Sequence, residues 1–270
     1  MVFHPVTTQS LPLAASKRSH VYLFAALFLM LCSGAASAAI GTALRYQYDG
    51  ADYEGYYASK TPGAPLVLLL HDWDGLTDYE VRRAEMLADL GYAVLAADMF
   101  GAGVRPTTTE DKQSHTGALM ADRKKMRGLM LAALDAAGKA GADKTNAVAA
   151  GYCLGGGATL ELARSGANLK GYVSFHGVLA TPEGQDYSNT KGEVLVLHGT
   201  ADSAIPMAHF AALAEEMEAA GVANEMISYG GAPHGFTIFG AEVYDEEADK
   251  KSWQRFRDFL AEKLGPVAQQ

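Results

Sequence analysis

The chain has 270 residues, of which 49% are hydrophobic and 20% are charged, so it is long enough to bury a sizeable core in one α/β domain. Its formal net charge of −9 gives it no basic surface of the kind that nucleic-acid binding requires. We therefore expect a single domain, monomeric or in a small homo-oligomer, whose partner is a small molecule and not a nucleic acid.

Residues 1–38 have the pattern of a secretory signal peptide. Lys17 and Arg18 precede an apolar run at 21–32, and the small residues Ala36-Ser37-Ala38 follow it. The run is about a dozen residues long, too short to span a bilayer comfortably, so cleavage after Ala38 is favoured over a retained membrane anchor. The first 16 residues are long for such a signal and are consistent with a misassigned start codon. We expect a periplasmic or secreted protein with no stable membrane anchor.

Cleavage would leave Cys153 as the sole cysteine of the mature chain. A lipid anchor on Cys32 is disfavoured because bulky Leu31 precedes it, where small residues are expected. An exported protein with one cysteine has no intramolecular disulfide, and the neighbours of that thiol decide whether it is inert or reactive.

From residue 39 to residue 270, short apolar strands alternate with longer amphipathic stretches, which predicts one α/β domain with a mostly parallel sheet and helices on both faces. The strands are predicted at 43–48, 52–57, 66–70, 93–97, 147–150, 172–175, 194–197 and 224–229. The first two flank Asp49-Gly50 and are expected to form an antiparallel hairpin at the sheet edge. Neither an internal repeat nor a linker indicates a second domain.

Thr77 and Glu80 form a capping box that predicts a helix ending near Gly91. Four more helices are predicted at 117–140, 156–165, 206–220 and 246–264. A lid, if the protein has one, is predicted from the loop at 101–115, on loop composition alone.

The segment around Cys153 carries the strongest signal for chemistry. An apolar strand runs into Gly151-Tyr152-Cys153-Leu154-Gly155, the G-x-C-x-G pattern of a nucleophile elbow, and a helix is predicted to follow. Glycines are needed at 151 and 155 because side chains would collide in so tight a turn. The helix would direct backbone N–H groups at the sulfur and stabilise a thiolate. A buried structural cysteine is the alternative, which this position between strand and helix disfavours.

Two later loops supply partners for a nucleophile, in the chain order that an elbow fold requires. Asp202 follows the strand at 194–197, and His234 lies in the glycine-rich loop after the last strand. The imidazole of His234 would exchange a proton with the sulfur while Asp202 fixes its tautomer. Taken alone, Asp202 could cap the helix after Pro206 and His234 could be a solvated side chain. Together with Cys153 they predict a catalytic triad.

An oxyanion hole is predicted from two backbone N–H groups. One belongs to Leu154, the residue after the nucleophile, and the other to Trp73 in the loop after the strand at 66–70. Asp72 would then lie near the sulfur, where its carboxylate could accept a hydrogen bond from the thiol or help to deprotonate it. The alternative for Asp72 is an ordinary surface acid.

Three further histidines, His71, His176 and His198, fall at strand ends near the predicted site. Neither H-x-x-H nor H-E-x-x-H spacing occurs, so we expect packing or supporting roles for them and no bound metal.

With these motifs the chain resembles the dienelactone hydrolase family from about residue 42 to residue 263. The matching segments are 71–73, 151–156, 175–177, 198–199 with Asp202, and 234–236. The resemblance implies a single-domain, cofactor-free α/β-hydrolase that opens unsaturated lactones such as dienelactone through an acyl-cysteine intermediate. It also supports Cys153, Asp202 and His234 as the triad, position by position.

Two departures from the family's pattern bear on the substrate. The family's lactone hydrolases have a glutamate where this chain has the shorter Asp72. They also bind the substrate carboxylate with arginines, one of them a few residues after the catalytic histidine, where this chain reads Gly235-Phe236-Thr237-Ile238. Arg105, Arg123 or Arg127 are candidates for the other arginine. Loss of such a charge-assisted contact would weaken binding of a carboxylate, so the motifs indicate hydrolysis more directly than they indicate dienelactone.

The leading hypothesis is a cysteine-dependent carboxylic ester hydrolase acting on ester or lactone bonds. A second hypothesis keeps the machinery but assigns non-carboxylated acyl esters or thioesters as substrates. A third is a non-catalytic binding protein on a hydrolase scaffold, against which the complete triad argues. A thiol-redox role is disfavoured because a resolving cysteine is missing.

Overall fold

A computed structural model describes residues 41–266, which contain eight β-strands and six α-helices. The strands are β1 (Thr42–Tyr48), β2 (Ala51–Ala58), β3 (Pro65–Leu70), β4 (Ala93–Ala97), β5 (Asp143–Tyr152), β6 (Gly171–Phe175), β7 (Glu193–Gly199) and β8 (Asn224–Tyr229). The predicted signal peptide, residues 1–38, lies outside the described residues.

The strands form one sheet in the order β1-β2-β4-β3-β5-β6-β7-β8. β2 pairs antiparallel with β1 and β4, and all the other neighbours are parallel. The turn between β1 and β2 has positive φ at Asp49 (50°) and Gly50 (77°), as a tight two-residue hairpin requires. β4 and β6 are buried along their whole length, which explains their continuously apolar sequences. The predicted mostly parallel α/β architecture is confirmed.

The helices are α1 (Asp78–Asp89), α2 (Thr109–Ala121), α3 (Arg123–Lys139), α4 (Leu154–Arg164), α5 (Met207–Ala220) and α6 (Glu246–Leu264). The predicted capping box starts α1, because the Glu80 carboxylate accepts the backbone N–H of Thr77 at 2.8 Å. Within residues 41–266, none of the helices combines the length and apolar character needed to cross a bilayer.

The single helix predicted at 117–140 is wrong, because this segment belongs to two helices, α2 and α3, separated at Asp122. The Asp122 backbone leaves the helical region (φ −107°, ψ 78°), and its side chain accepts the N–H of Lys125 and thereby starts α3. α2 is polar and buries only Leu119, so it lacks the apolar period that predicts a helix. The loop predicted at 101–115 is accordingly helical from Thr109 onward.

Helices cover both faces of the sheet. α3, α4 and α5 pack on one face, with Met130, Leu160 and Met217 fully or almost fully buried, and α1 and α6 pack on the other through Leu87 and Phe256. This burial removes apolar surface from water, which is the main favourable term in folding. The sheet is thereby fixed on both sides, and the loops at the carboxyl ends of its parallel strands are the places where a site can form.

Candidate active site

Cys153 lies at the tight turn between β5 and α4. Its backbone has φ 50° and ψ −109°, a region that residues with a side chain rarely adopt. A Cβ at Gly151 would overlap the backbone of Gly155, and a Cβ at Gly155 would overlap the carbonyl group of Leu70. The predicted need for glycine at both positions is confirmed, and the turn places Cys153 at the carboxyl end of β5.

Two loop residues meet Cys153 at this point. Nε2 of His234 lies 3.1 Å from the Cys153 sulfur, and Nδ1 of His234 donates to Oδ2 of Asp202 at 2.8 Å. Oδ1 of Asp202 accepts the backbone N–H groups of Ala204 and Ile205 at 2.9 and 2.8 Å. The structure thus brings together the three side chains that the sequence predicts as a triad, and loop N–H groups fix the carboxylate.

The hydrogen bonds of this cluster favour a protonated imidazole. Burial disfavours the charge on His234, but the hydrogen bonds with Asp202 and Cys153 outweigh it and raise the pKa of His234 to about 10. Burial also disfavours the carboxylate of Asp202, yet the hydrogen bonds from His234 and Ile205 hold the pKa of Asp202 below its ordinary value. The surroundings therefore favour the charged form of each group.

A second group of acidic residues follows β3. Asp72 is 4% exposed, and its Oδ1 accepts the backbone N–H of Asp74 at 3.0 Å. Burial, together with the neighbouring Asp74 and Glu80, raises the pKa of Asp72 to about 10. Burial likewise raises the pKa of Glu80 to about 7. This raised pKa favours the protonated form of Asp72, so it gives no support to the hypothesis that Asp72 deprotonates Cys153, which stays a prediction.

Cys153 and His234 line a cavity of about 430 Å³. Asp72 lines it as well, and so do Leu154 and Trp73, the two residues predicted to form the oxyanion hole. The rest of the wall is mostly apolar and includes Thr116, Val178, Ala204, Ile205, Ile238 and Val243. Since Thr116 belongs to α2, the helix that the sequence pattern did not predict contributes to the cavity.

The three arginines considered for a substrate carboxylate lie elsewhere. Nε of Arg127 donates to Glu161 at 2.6 Å, and Arg123 is 3.6 Å from the same buried carboxylate. Arg105 is 3.8 Å from the buried Asp98. In the part of the chain that the structure describes, the cavity wall contains no arginine or lysine.

Two of the three additional histidines are held by the backbone. His71 donates from Nδ1 to the carbonyl oxygen of Asp72 at 2.6 Å and accepts the N–H of Met99 at Nε2 at 3.1 Å. His198 donates from Nε2 to the carbonyl oxygen of Ile205 at 2.9 Å. Burial lowers the pKa of both. Across residues 41–266, His, Cys, Asp and Glu side chains form no group that could hold a metal ion.

The sequence pattern did not predict a buried polar network beside His234. His176 follows β6 at φ 38°, and its ring lies 5.3 Å from the His234 ring between centroids. Nε2 of His176 is 2.8 Å from the Thr237 hydroxyl, which is 2.7 Å from the Tyr79 hydroxyl. These residues are far apart in the sequence, and the position of His176 at a strand end is the one local signal for them.

A strand, elbow and helix, followed by an acid and a histidine on later loops, define an α/β-hydrolase. An acylaminoacyl peptidase of Pyrococcus horikoshii shares this fold at 14% identity, covering 87% of this chain and 43% of that chain with a TM-score of 0.69. The chain matches the dienelactone hydrolase family over residues 53–264 and belongs to that family. It is therefore a carboxylic ester hydrolase, which argues against the hypothesis of a non-catalytic binding protein.

Three relatives illustrate the range of this similarity. The structure of a dienelactone hydrolase-like promiscuous phosphotriesterase from metagenomic libraries is 31% identical and covers 85% of this chain and 100% of that chain, with a TM-score of 0.79. A candidate carboxymethylenebutenolidase of Methylorubrum extorquens is 27% identical over 76% of this chain and 75% of its own length. An uncharacterised protein of Caenorhabditis elegans is 35% identical over 44% of this chain and 82% of its own length.

Proposed function

We propose that this protein is a cysteine-dependent hydrolase of uncharged esters and lactones, with Cys153 as the nucleophile. The proposal rests on the position of the His234 ring. Its Nε2 lies 3.1 Å from the sulfur of Cys153, and its Nδ1 lies 2.8 Å from the carboxylate of Asp202. An imidazolium beside the sulfur stabilises the thiolate, which is the reactive form of a cysteine.

In the first half-reaction the thiolate of Cys153 attacks the carbonyl carbon of the ester. A C–S bond forms while the carbonyl electron pair moves onto oxygen, where the backbone N–H groups of Leu154 and Trp73 are the proposed donors. As the carbonyl re-forms, the C–O bond to the leaving group breaks, and Nε2 of His234 gives its proton to the leaving oxygen. The product is an acyl-cysteine, and a lactone is opened by the same step.

In the second half-reaction water releases the acyl group. His234 is now neutral and takes a proton from the water that attacks the acyl carbon, and the C–S bond breaks to return the thiolate. Asp202 keeps the proton on Nδ1 and the orientation of the ring through both halves. Ester and water are thereby converted to acid and alcohol, with every proton returned.

The cavity wall favours substrates that carry no charge near the reacting carbonyl. Val178, Ile238 and Val243 are apolar, and the candidate arginines pair with other acids. A substrate carboxylate bound among these apolar residues would lose its hydration without an arginine or lysine to pair with, which is costly. We therefore assign neutral esters and lactones in preference to carboxylated dienelactone.

A panel of activated esters tests the proposal. We expect kcat/KM for p-nitrophenyl acetate to exceed that for p-nitrophenyl hemisuccinate by roughly 10-fold or more, because only the second carries a carboxylate. Cys153→Ala is expected to be inactive on both esters while its circular dichroism is that of the wild type. A preference for the hemisuccinate would contradict the substrate assignment, and hydrolysis retained by Cys153→Ala would contradict the nucleophile.

Hydrolysis of neutral phosphotriesters is a second candidate activity. The relative that is 31% identical is named as a promiscuous phosphotriesterase, and a mostly apolar wall without arginine or lysine is suited to a triester, which has no charge. Paraoxon turnover that requires Cys153 would support this activity, and lack of turnover would contradict it.

We also propose that the protein is exported, on the pattern of residues 1–38. N-terminal sequencing of the protein from a periplasmic fraction is expected to begin at Ala39. Recovery of the full chain from the cytoplasm alone would contradict export.

A further inference from the structure

His176 is a buried titratable group to which the proposed mechanism assigns no step. It is 0% exposed at the end of β6, and its backbone has a φ of 38°, which is costly for a residue with a side chain. The His176 and His234 rings lie 5.3 Å apart between centroids at an interplanar angle of 67°, an edge contact. A strained backbone thus holds one imidazole against the other.

A chain of hydrogen bonds fixes one nitrogen of the His176 ring. The Tyr79 oxygen accepts from Nε of Arg83 at 3.3 Å and lies 2.7 Å from the Thr237 hydroxyl. The Thr237 hydroxyl in turn lies 2.8 Å from Nε2 of His176. The Thr237 hydroxyl therefore links Tyr79 to His176, since it can donate to one of them and accept from the other. This contact fixes the position of Nε2, and an uncharged ring can make it either as donor or as acceptor.

The surroundings of His176 favour the uncharged ring. Burial and the neighbouring His234 put the pKa of His176 well below its ordinary value. The aromatic and titratable groups that face it are Tyr152, Phe236, His234, Asp202 and His198. A second positive charge beside the imidazolium of His234 is thereby avoided, while the contact between the two rings is kept.

We propose that His176 is a positioning residue that holds the imidazole plane of His234. Its uncharged ring, fixed by Thr237, keeps Nε2 of His234 facing the sulfur and Nδ1 facing the Asp202 carboxylate. This inference rests on the proposed function, since it takes His234 as the base. The His234 side chain is 27% exposed, so it has room to turn when the contact is lost, and turning breaks one of its two hydrogen bonds. A misplacement of about 1 Å in a reacting group costs up to roughly 100-fold in rate.

A pair of variants at Thr237 tests the role without changing a residue of the triad. Thr237→Val keeps the shape of the side chain but removes the hydroxyl that binds His176, whereas Thr237→Ser keeps the hydroxyl. We expect Thr237→Val to lower kcat on p-nitrophenyl acetate roughly 10-fold with KM changed less than about twofold. Thr237→Ser is expected to restore kcat to within about threefold of the wild type.

A second readout needs no substrate. The rate at which iodoacetamide alkylates Cys153 is followed by mass spectrometry of the peptide that contains it, from about pH 5 to about pH 9. Thr237→Val is expected to slow alkylation near neutral pH and to move the acid limb of the profile to higher pH, which a mere loss of stability does not do. His176→Asn, with a residue that tolerates positive φ, is expected to change the profile further in the same direction.

Wild-type kcat and alkylation in Thr237→Val would overturn the positioning role, and so would a loss that Thr237→Ser does not restore. His234→Ala separates this role from the proposed function. If His234→Ala keeps wild-type turnover, His234 is not the base and both proposals fail. If His234→Ala is inactive while Thr237→Val is fully active, the positioning role alone fails.

Discussion

Two groups of ionisable side chains lie at the same edge of the sheet, and their surroundings favour the charged form in one group and the uncharged form in the other. After β5, β7 and β8, the Cys153 sulfur and the Asp202 carboxylate both contact the imidazole of His234. After β3, the carboxyl groups of Asp72 and Glu80 lie near the carboxylate of Asp74. Within residues 41–266, Oε1 of Glu80 is buried without a hydrogen-bond partner. The shifted pKa values of His234 and Asp202 favour their charged forms, whereas the raised pKa values of Asp72 and Glu80 favour their protonated forms.

The difference teaches that burial disfavours the charge on both carboxyl groups, and that hydrogen-bond donors decide whether this cost is offset. Asp202 and Asp72 are both 4% exposed, yet the pKa of Asp202 lies below its ordinary value and the pKa of Asp72 is raised to about 10. Asp202 accepts hydrogen bonds from His234 and from two loop N–H groups, whereas Asp72 accepts one loop N–H and faces two other acids. The proposed proton transfer accordingly uses the His234 side of the cavity and not the Asp72 side.

Removing the imidazole of His234 should cause the largest loss of activity. We expect His234→Ala to lower kcat/KM on p-nitrophenyl acetate by at least roughly 10³-fold, because the sulfur loses its proton partner and the leaving group loses its acid. Steady-state kinetics measure the loss, near-ultraviolet circular dichroism checks the fold, and added imidazole is expected to restore part of the rate. Activity within about tenfold of the wild type would contradict this assignment.

The pH dependence of kcat/KM should reflect the charge on His234. The folded-state pKa of His234, about 10, lies above its ordinary value of 6.5, so the imidazolium and the stability it contributes are fully present below 6.5 and are lost as pH rises through about 10. We expect kcat/KM, corrected for spontaneous hydrolysis, to fall over the alkaline end of that range. Since the hydrogen bond with Asp202 raises this pKa, Asp202→Asn should move the alkaline limb down by at least about one pH unit. If the alkaline limb does not move in Asp202→Asn, it reflects the titration of a group other than His234.

A cation can be introduced at an apolar position of the cavity wall. Ile238 lines the cavity, and Ile238→Arg is expected to raise the ratio of kcat/KM for p-nitrophenyl hemisuccinate over that for the acetate about 10-fold, because a guanidinium binds a carboxylate directly. Ile238→Gln is the matched control, long and polar but uncharged, and should leave the ratio near the wild-type value. An equal change in both variants would mean that charge is not the cause.

Replacing Asp72 with asparagine should change activity least and stability most. Because the folded protein holds the Asp72 proton with a pKa of about 10 against an ordinary value of 3.8, stability falls as pH rises between these values. Asparagine resembles the protonated acid, so Asp72→Asn is expected to gain about 1 to 3 kcal/mol near pH 8, to gain nothing near pH 4, and to keep kcat within about threefold. Urea unfolding at both pH values measures the gain.

Glu80→Gln tests whether the gain in stability follows the size of the pKa shift. The pKa of Glu80 is raised to about 7, a smaller shift, so its gain near neutral pH should be smaller than that of Asp72→Asn. A loss of stability in Asp72→Asn near pH 8 would show that the carboxyl group is charged there.

The elbow and the proximity of Cys153, Asp202 and His234 could be predicted from the sequence because both follow simple rules. Gly151 and Gly155 are required by the sterics of the turn around Cys153, as the overlap of any Cβ there shows. Asp202 and His234 follow buried strands in the order that a parallel sheet with an elbow imposes. These rules act over a few residues, or through strand order, and need no knowledge of packing.

The other features depend on contacts between distant residues. The break at Asp122 was not predictable from periodicity because α2 buries only Leu119. Arg123 and Arg127 lie beside Glu161, a buried acid on α4, and a sequence does not show which acid an arginine meets. The contact of His176 with Thr237 joins residues 61 positions apart through side chains alone.

Transfer of the acyl group to Cys153 is tested most directly by trapping it. Acid quenching of the enzyme within the first turnovers of p-nitrophenyl acetate, followed by peptide mass spectrometry, should find an acetyl group on the peptide that contains Cys153 and none in Cys153→Ala. The acetylated fraction should decay at the rate of turnover once ester is exhausted. An acetyl group on a different residue that forms and decays at the rate of turnover would contradict the mechanism.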